Sequence, residues 1–263
     1  MDDILHRRFW EVDFLRGMAI VLMVTYHVFF DMRFLDISEL DPNSGILLVI
    51  GRSASITFIF LVGLSLTLSY SRARLFSGET PSLFPKYVKR GAAIFSWGLV
   101  ITLVTGILLP RGTIFFGILH LIGVSIILAY PFLGFQLKPL FAGWAFLFAG
   151  FFTEGAYVGF PWLLWLGLKP YGFYSYDYFP VIPWFGMILL GVSAGNILYH
   201  GYRRQFVLPD LEQSSLVKIF ACLGRNSLFI YLVHQPLIIG FLILGGFANI
   251  DILSPMFLTG ASP

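Results

Sequence analysis

Long, almost uncharged apolar runs decide what this chain can fold into. About 20 consecutive apolar residues cross a ~30 Å hydrocarbon core as a helix. Runs of that kind recur at roughly 14–33, 46–70, 88–110, 113–132, 138–156, 181–199 and 217–244. In lipid the backbone has no water to bond, so each run must satisfy its own N–H and C=O groups, as a helix does. The ten-residue polar/apolar alternation of a membrane barrel is absent. The pattern predicts an all-α, polytopic transmembrane helical bundle of about seven spans, forming one domain over 1–263. A chain 57% hydrophobic and only 12% charged is not an ordinary soluble domain.

Lys and Arg fall on alternate connections. Arg7 and Arg8 lie in the leader, Arg72, Arg74, Lys86, Lys89 and Arg90 in 71–90, Lys138 in the fourth connection, and Arg203 and Arg204 in the sixth. The opposite connections hold Arg33, Arg111 and Lys169, and the first of them, DMRFLDISELD, is acidic. The positive-inside rule then sets the N-terminus in the cytoplasm and the C-terminus outside. The first run is long and carries Arg16 and His27, unlike a cleaved signal peptide, so the protein is expected to stay in the lipid bilayer. A net charge of +3 reflects this loop bias and not a nucleic-acid surface. Cys222 is the single cysteine, so no internal disulfide forms. The aromatic, Pro-punctuated 159–180 stretch reads as an outer interfacial or re-entrant segment, or else as a lid or acceptor platform.

Ionisable residues inside a membrane are costly and mark function. Arg16 and His27 are eleven residues apart in the first run. On a helix that returns to the same face, ~16 Å further along. A fixed cation near one surface and a titratable imidazole deep in the bilayer suit a long substrate with an anionic head. His27, Arg52 and His120 each sit roughly 9–11 Å inside the outer end of their run, and His234 lies in the outer third of the last. This common depth predicts an outer-leaflet cavity. Asp31, four residues beyond His27, is expected to orient the imidazole. Towards the cytoplasm, Arg16, Arg90, Arg225 and Asn226 are candidates for holding a phosphate-rich ligand. Structural roles stand beside these. Arg16 pairs with Asp13 in one reading, His120 is a helix–helix link in another, and Gly63, Gly186, Gly191 and Gly195 read as close-packing positions. No metal-ligand spacing stands out.

Five stretches carry a family resemblance: VDFLRGMAIVLMVTYH, FIFLVGLSLTLS, GILHLIGVSIIL, PWFGMILLGVSAGNIL and LGRNSLFIYLVHQPLI. Together they resemble the catalytic domain of heparan-α-glucosaminide N-acetyltransferase and its compact prokaryotic relatives. The Arg-x10-His spacing is also similar to that of transmembrane acyltransferases that modify glycans. The resemblance implies acyl transfer from cytosolic acetyl-CoA to a hydroxyl or amine of an extracytoplasmic acceptor, a sugar in the first instance. Arg16 and His27 match the first pattern, and Asn226 and His234 match a terminal NSL-x-x-Y-x-x-H pattern. The human-type enzyme instead has Asn where this chain has His27 and Gln where it has His120. In the chemistry so implied, His27 is the base, with His120, Arg52 or His234 stabilising the oxyanion. A proton-coupled transporter or channel with a buried His/Asp/Arg relay is the rival reading, and a homodimer is left open.

The orientation is testable by thiol labelling in a Cys222→Ser background. Single cysteines within 159–180 should react with a membrane-impermeant reagent in intact cells, and those within 71–90 should not. Outside labelling of 71–90 would reverse the orientation.

Overall fold

Eight α-helices make up most of the residues described by the computed structural model, 8–77 and 82–247. They are α1 (Trp10–Phe34), α2 (Gly45–Ser77), α3 (Phe84–Leu108), α4 (Ile118–Leu128), α5 (Lys138–Thr153), α6 (Val181–Leu198), α7 (Ser215–Arg225) and α8 (Ser227–Leu244). The leader cation Arg7 and the C-terminal residues from 248 lie outside the described residues. The all-α polytopic architecture is as expected. Five helices, α1, α2, α3, α6 and α8, are long and apolar enough to cross a membrane. Side chains on α3 such as Leu103 (65% exposed) and Ile107 point away from the protein, as apolar side chains facing lipid do.

Five such helices stand against about seven runs read from the sequence, the difference lying in the fourth and fifth runs, while the seventh is divided. The fourth run is an 11-residue helix, α4, and the fifth a 16-residue helix, α5. At ~1.5 Å per residue neither matches a ~30 Å core. The seventh run is two helices that meet at Asn226. There the Asn226 amide donates to the Cys222 carbonyl at 2.9 Å, and its backbone N–H also reaches Cys222 O, which closes α7. The Asn226 carbonyl then accepts from Ile230 N–H and opens α8. The 71–90 connection is mostly helical as well. Arg72 and Arg74 extend α2, while Lys86, Lys89 and Arg90 lie on the first turns of α3.

The chain divides into two units, and α2 runs from one into the other. The first holds residues up to 58 and from 208 onward; the second holds 59–207. In the first unit α1 packs on α7 and α8. A Cβ on Gly17 would meet the Phe220 carbonyl, and one on Gly224 the Asp13 carbonyl, so α1 and α7 touch backbone to backbone. The second unit repeats the device. Gly63 and Gly191 join α2 to α6, Gly91 and Gly123 join α3 to α4, and Gly143 and Gly186 join α5 to α6. The packing role expected of Gly63, Gly186, Gly191 and Gly195 is therefore what the structure shows. The 157–180 stretch contains no α-helix. A short parallel pair, β1 (Tyr157–Val158) with β2 (Lys169–Pro170), organises it. Phe179 N–H bonds to Phe116 O and Tyr176 N–H to Gly112 O, tying it to the segment before α4. Trp162 and Tyr171 remain largely exposed on it.

Helix propensity alone favours Ala over Gly by ~1 kcal/mol, whereas overpacking costs ~1–3 kcal/mol. Gly224→Ala should therefore lower the melting temperature in detergent, and Gly224→Val should lower it further. A rise with Ala would show that the α1–α7 contact is looser than described.

Candidate functional site

His27 on α1 and His234 on α8 come together in the first unit, their ring centroids 4.8 Å apart at 66°. Each ring is fixed by its own helix. His27 Nδ1 lies 2.9 Å from the Met23 carbonyl, and His234 Nδ1 lies 2.6 Å from the Tyr231 carbonyl. A carbonyl only accepts, so both rings carry their proton on Nδ1 and present a bare Nε2 lone pair. His234 is 6% exposed, and its Nε2 is buried without a hydrogen-bond partner among the described residues. An unmatched buried acceptor is uncommon in a folded protein. Tyr26, Phe30 and Tyr231 pack their rings around the pair.

Asp31 does not bond to His27, whose Nδ1 is already engaged by its own backbone. Asp31 is instead 2% exposed and is met by Gln235. With the Gln235 amide turned so that both of its ends are satisfied, its nitrogen donates to both carboxyl oxygens, at 2.5 and 3.2 Å. The expected Asp31–His27 contact is thus replaced by a tie between α1 and α8. Arg52, on the part of α2 in this unit, is exposed and has no hydrogen-bond or ion-pair partner among the described residues. Gly51 beside it lets the Tyr26 ring pack against the α2 backbone.

Arg16 takes the structural pairing weighed from the sequence. Its Nη1 donates to Asp13 Oδ1 at 3.1 Å and to the Gly224 carbonyl at 3.4 Å. The guanidinium therefore sits at the C-terminal end of α7, where carbonyls lack intrahelical donors and the dipole favours a cation. Arg225 and Asn226 are exposed at that same junction. Along α1, His27 lies ~16 Å from Arg16, and along α8, His234 lies ~12 Å from Asn226.

His120 and Arg90 belong to the second unit. His120 is buried, at 2% exposed, and both its nitrogens are committed. Nδ1 accepts from Gly117 N–H at 3.2 Å, so Nε2 carries the proton and donates to Thr102 Oγ1 at 3.3 Å. The Thr102 hydroxyl passes on to the Ile114 carbonyl at 2.6 Å. Gly98 clears space for the ring; a Cβ there would lie 2.9 Å from it. His120 thus holds the start of α4, the link role, and has no lone pair left for chemistry. Arg90 is exposed near the start of α3. In the 157–180 segment, burial pushes the phenols of Tyr176 and Tyr178 up, with Tyr174 adding to the effect on Tyr176. Tyr178 accordingly stays a neutral donor, bonded to the Leu164 carbonyl at 2.7 Å.

Three participants escaped the sequence reading: Gln235, Thr102 and Asp177, whose carboxylate accepts from Ile118 N–H at 3.2 Å. An amide within an apolar run is itself expensive in lipid, and that signal was available for Gln235. Thr102 looked like ordinary helix filler.

Among known families, the one described as heparan-alpha-glucosaminide N-acetyltransferase, catalytic, matches residues 8–236. No curated protein and no solved structure matches the chain.

The contrast between His120 and the imidazole pair can be checked on stability. Thr102→Val strands the His120 Nε2–H and should destabilise the protein by ~1–3 kcal/mol in detergent melts. An unchanged melting temperature would mean that His120 is not held by Thr102.

Proposed function

The chain belongs to the heparan-α-glucosaminide N-acetyltransferase catalytic family and is a transmembrane acetyltransferase; from that premise we propose that His27 is the base in acetyl transfer from cytosolic acetyl-CoA to an extracytoplasmic hydroxyl or amine. A sugar is the acceptor class that the family name suggests. The observation that carries the proposal is the imidazole pair with two bare Nε2 atoms inside apolar helices. Neutral Nδ1–H tautomers with Nε2 lone pairs are what proton abstraction requires.

The chemistry follows from that tautomer. His27 Nε2 removes the proton from the acceptor as its oxygen or nitrogen attacks the thioester carbonyl. The tetrahedral intermediate expels the coenzyme A sulfur, and the imidazolium returns its proton to it. His234 provides a second base close by. It has no N–H at Nε2 with which to hold an oxyanion, and His120 has both nitrogens engaged. Of the three residues considered for that task, Arg52 alone has uncommitted donors, so we assign it there.

The donor fits the first unit lengthwise. Phosphates near Arg16, Arg225 and Asn226 would leave a slender pantetheine chain to cover the ~16 Å of helix rise up to His27. The Lys/Arg distribution supports a cytoplasmic position for that junction and an outer position for the histidines. Arg90, in the second unit, is a further candidate for the phosphates.

The test is transfer from labelled acetyl-CoA to soluble amine and sugar acceptors, with purified protein in detergent. A general base contributes ~10²–10⁴-fold, so His27→Ala should lose that much in kcat while still binding acetyl-CoA. A total loss would point to an acetyl-histidine intermediate. Turnover equal to wild type would remove His27 from the mechanism.

A further inference from the structure

Asp31 lies one turn after His27 on α1, and Gln235 directly follows His234 on α8. We infer that Asp31 and Gln235 are a positioning pair, whose hydrogen bond sets the spacing of the His27 and His234 rings without carrying the proton. This rests on reading those rings as the reacting groups.

Three observations support it. The Asp31 carboxyl makes no hydrogen bond to His27, and the Nδ1 that it would have oriented is held by Met23 O. Asp31 thus acts on the pair through α8. Next, α8 is weakened at this level. Pro236 lies inside the helix and has no N–H, so the Leu232 carbonyl loses its usual i+4 donor. The Tyr231 carbonyl is meanwhile shared with the His234 side chain. Where the backbone ladder of α8 is poorest, Gln235 links it to α1. Finally, Asp31 is almost fully buried, so losing Gln235 would leave its carboxyl unsatisfied rather than solvated. Two helices that meet only through apolar contacts slide easily in lipid, because lipid competes for the same contacts. A single polar tie at the height of the rings fixes that height.

The experiment compares Asp31→Leu, Asp31→Asn, Gln235→Leu, the double Leu variant and the swapped pair Asp31→Asn/Gln235→Glu in the full chain in detergent. Acetyl-transfer kinetics and melting temperature are measured for each. A displacement of ~1 Å can cost ~10²-fold in rate, so each single Leu variant should lose ~10–100-fold in kcat with KM for acetyl-CoA little changed. Asp31→Asn can still bond an amide and should run at least ~10-fold faster than Asp31→Leu, as should the swapped pair. The single Leu variants should also melt lower than wild type, with the double variant well short of their sum. The pair is overturned if Asp31→Asn falls as low as Asp31→Leu, since the carboxylate would then act alone. Additive melting shifts overturn it equally. If His27→Ala turns over like wild type, the reading of the rings fails, and coupled melting shifts would reduce the pair to a helix tie.

Discussion

Lipid removes the force that folds soluble proteins. Between helices already in a bilayer, burying apolar surface gains little, because the tails are as apolar as leucine. What remains is close backbone contact and a small number of polar links. The structure uses both sparingly. Glycine contacts bring α1 to α7, α2 to α6, α3 to α4 and α5 to α6. Many of the buried polar side chains are tied to a backbone group or to a second side chain, whereas Ser125 Oγ and His234 Nε2 are among the atoms left over. Where every donor and acceptor is accounted for, the residue is structural. Where one is left over, as at His234 Nε2, the atom is open to a further partner.

That distinction separates the histidines. Depth in the membrane placed His27, His120 and His234 together, and depth cannot tell a satisfied imidazole from an unsatisfied one. Hydrogen bonding can. A backbone N–H supplied by Gly117 and a hydroxyl supplied by Thr102 close His120 from both sides. A backbone carbonyl on the δ side alone leaves His27 and His234 open at Nε2. In each case the Nδ1 partner is a backbone group three or four residues earlier in the chain, whereas Thr102 reaches His120 from α3. Local sequence therefore decides the tautomer, and the tautomer decides which ring can act as a base.

The apolar runs made the fold class legible, because membrane thickness is a ruler that the sequence cannot evade. The finer errors have physical causes. Run length did not reveal the break at Asn226, since Asn in an apolar stretch looks like one polar substitution until its amide is seen closing α7. The 113–132 run contains more apolar residues than its 11-residue helix uses, the remainder being short turns. At the site, His27 and His234 were legible as costly residues at a common depth. Asp31 was placed on the right face and given the wrong partner. An i,i+4 spacing shows which groups can meet, whereas Gln235, 204 positions away along the chain, is a competitor that only the tertiary fold supplies.

Arg16 shows why a structural partner does not decide a residue's role. Its bond to Asp13 joins two side chains that retain 19% and 12% of their exposure. The pair is thus mostly withdrawn from solvent, and its hydrogen bond is charge-assisted like one to a phosphate. A charge-assisted contact to a phosphate contributes ~1.5–3 kcal/mol. A dianionic phosphate arriving at the α7–α8 junction would compete well with Asp13 for the guanidinium. It would leave the second Arg16 contact, to the Gly224 carbonyl, free to keep the end of α7 in place. Arg16 thus anchors the end of α7, and the proposed donor site would use the same guanidinium a second time. Asp13 would hold the guanidinium between turnovers.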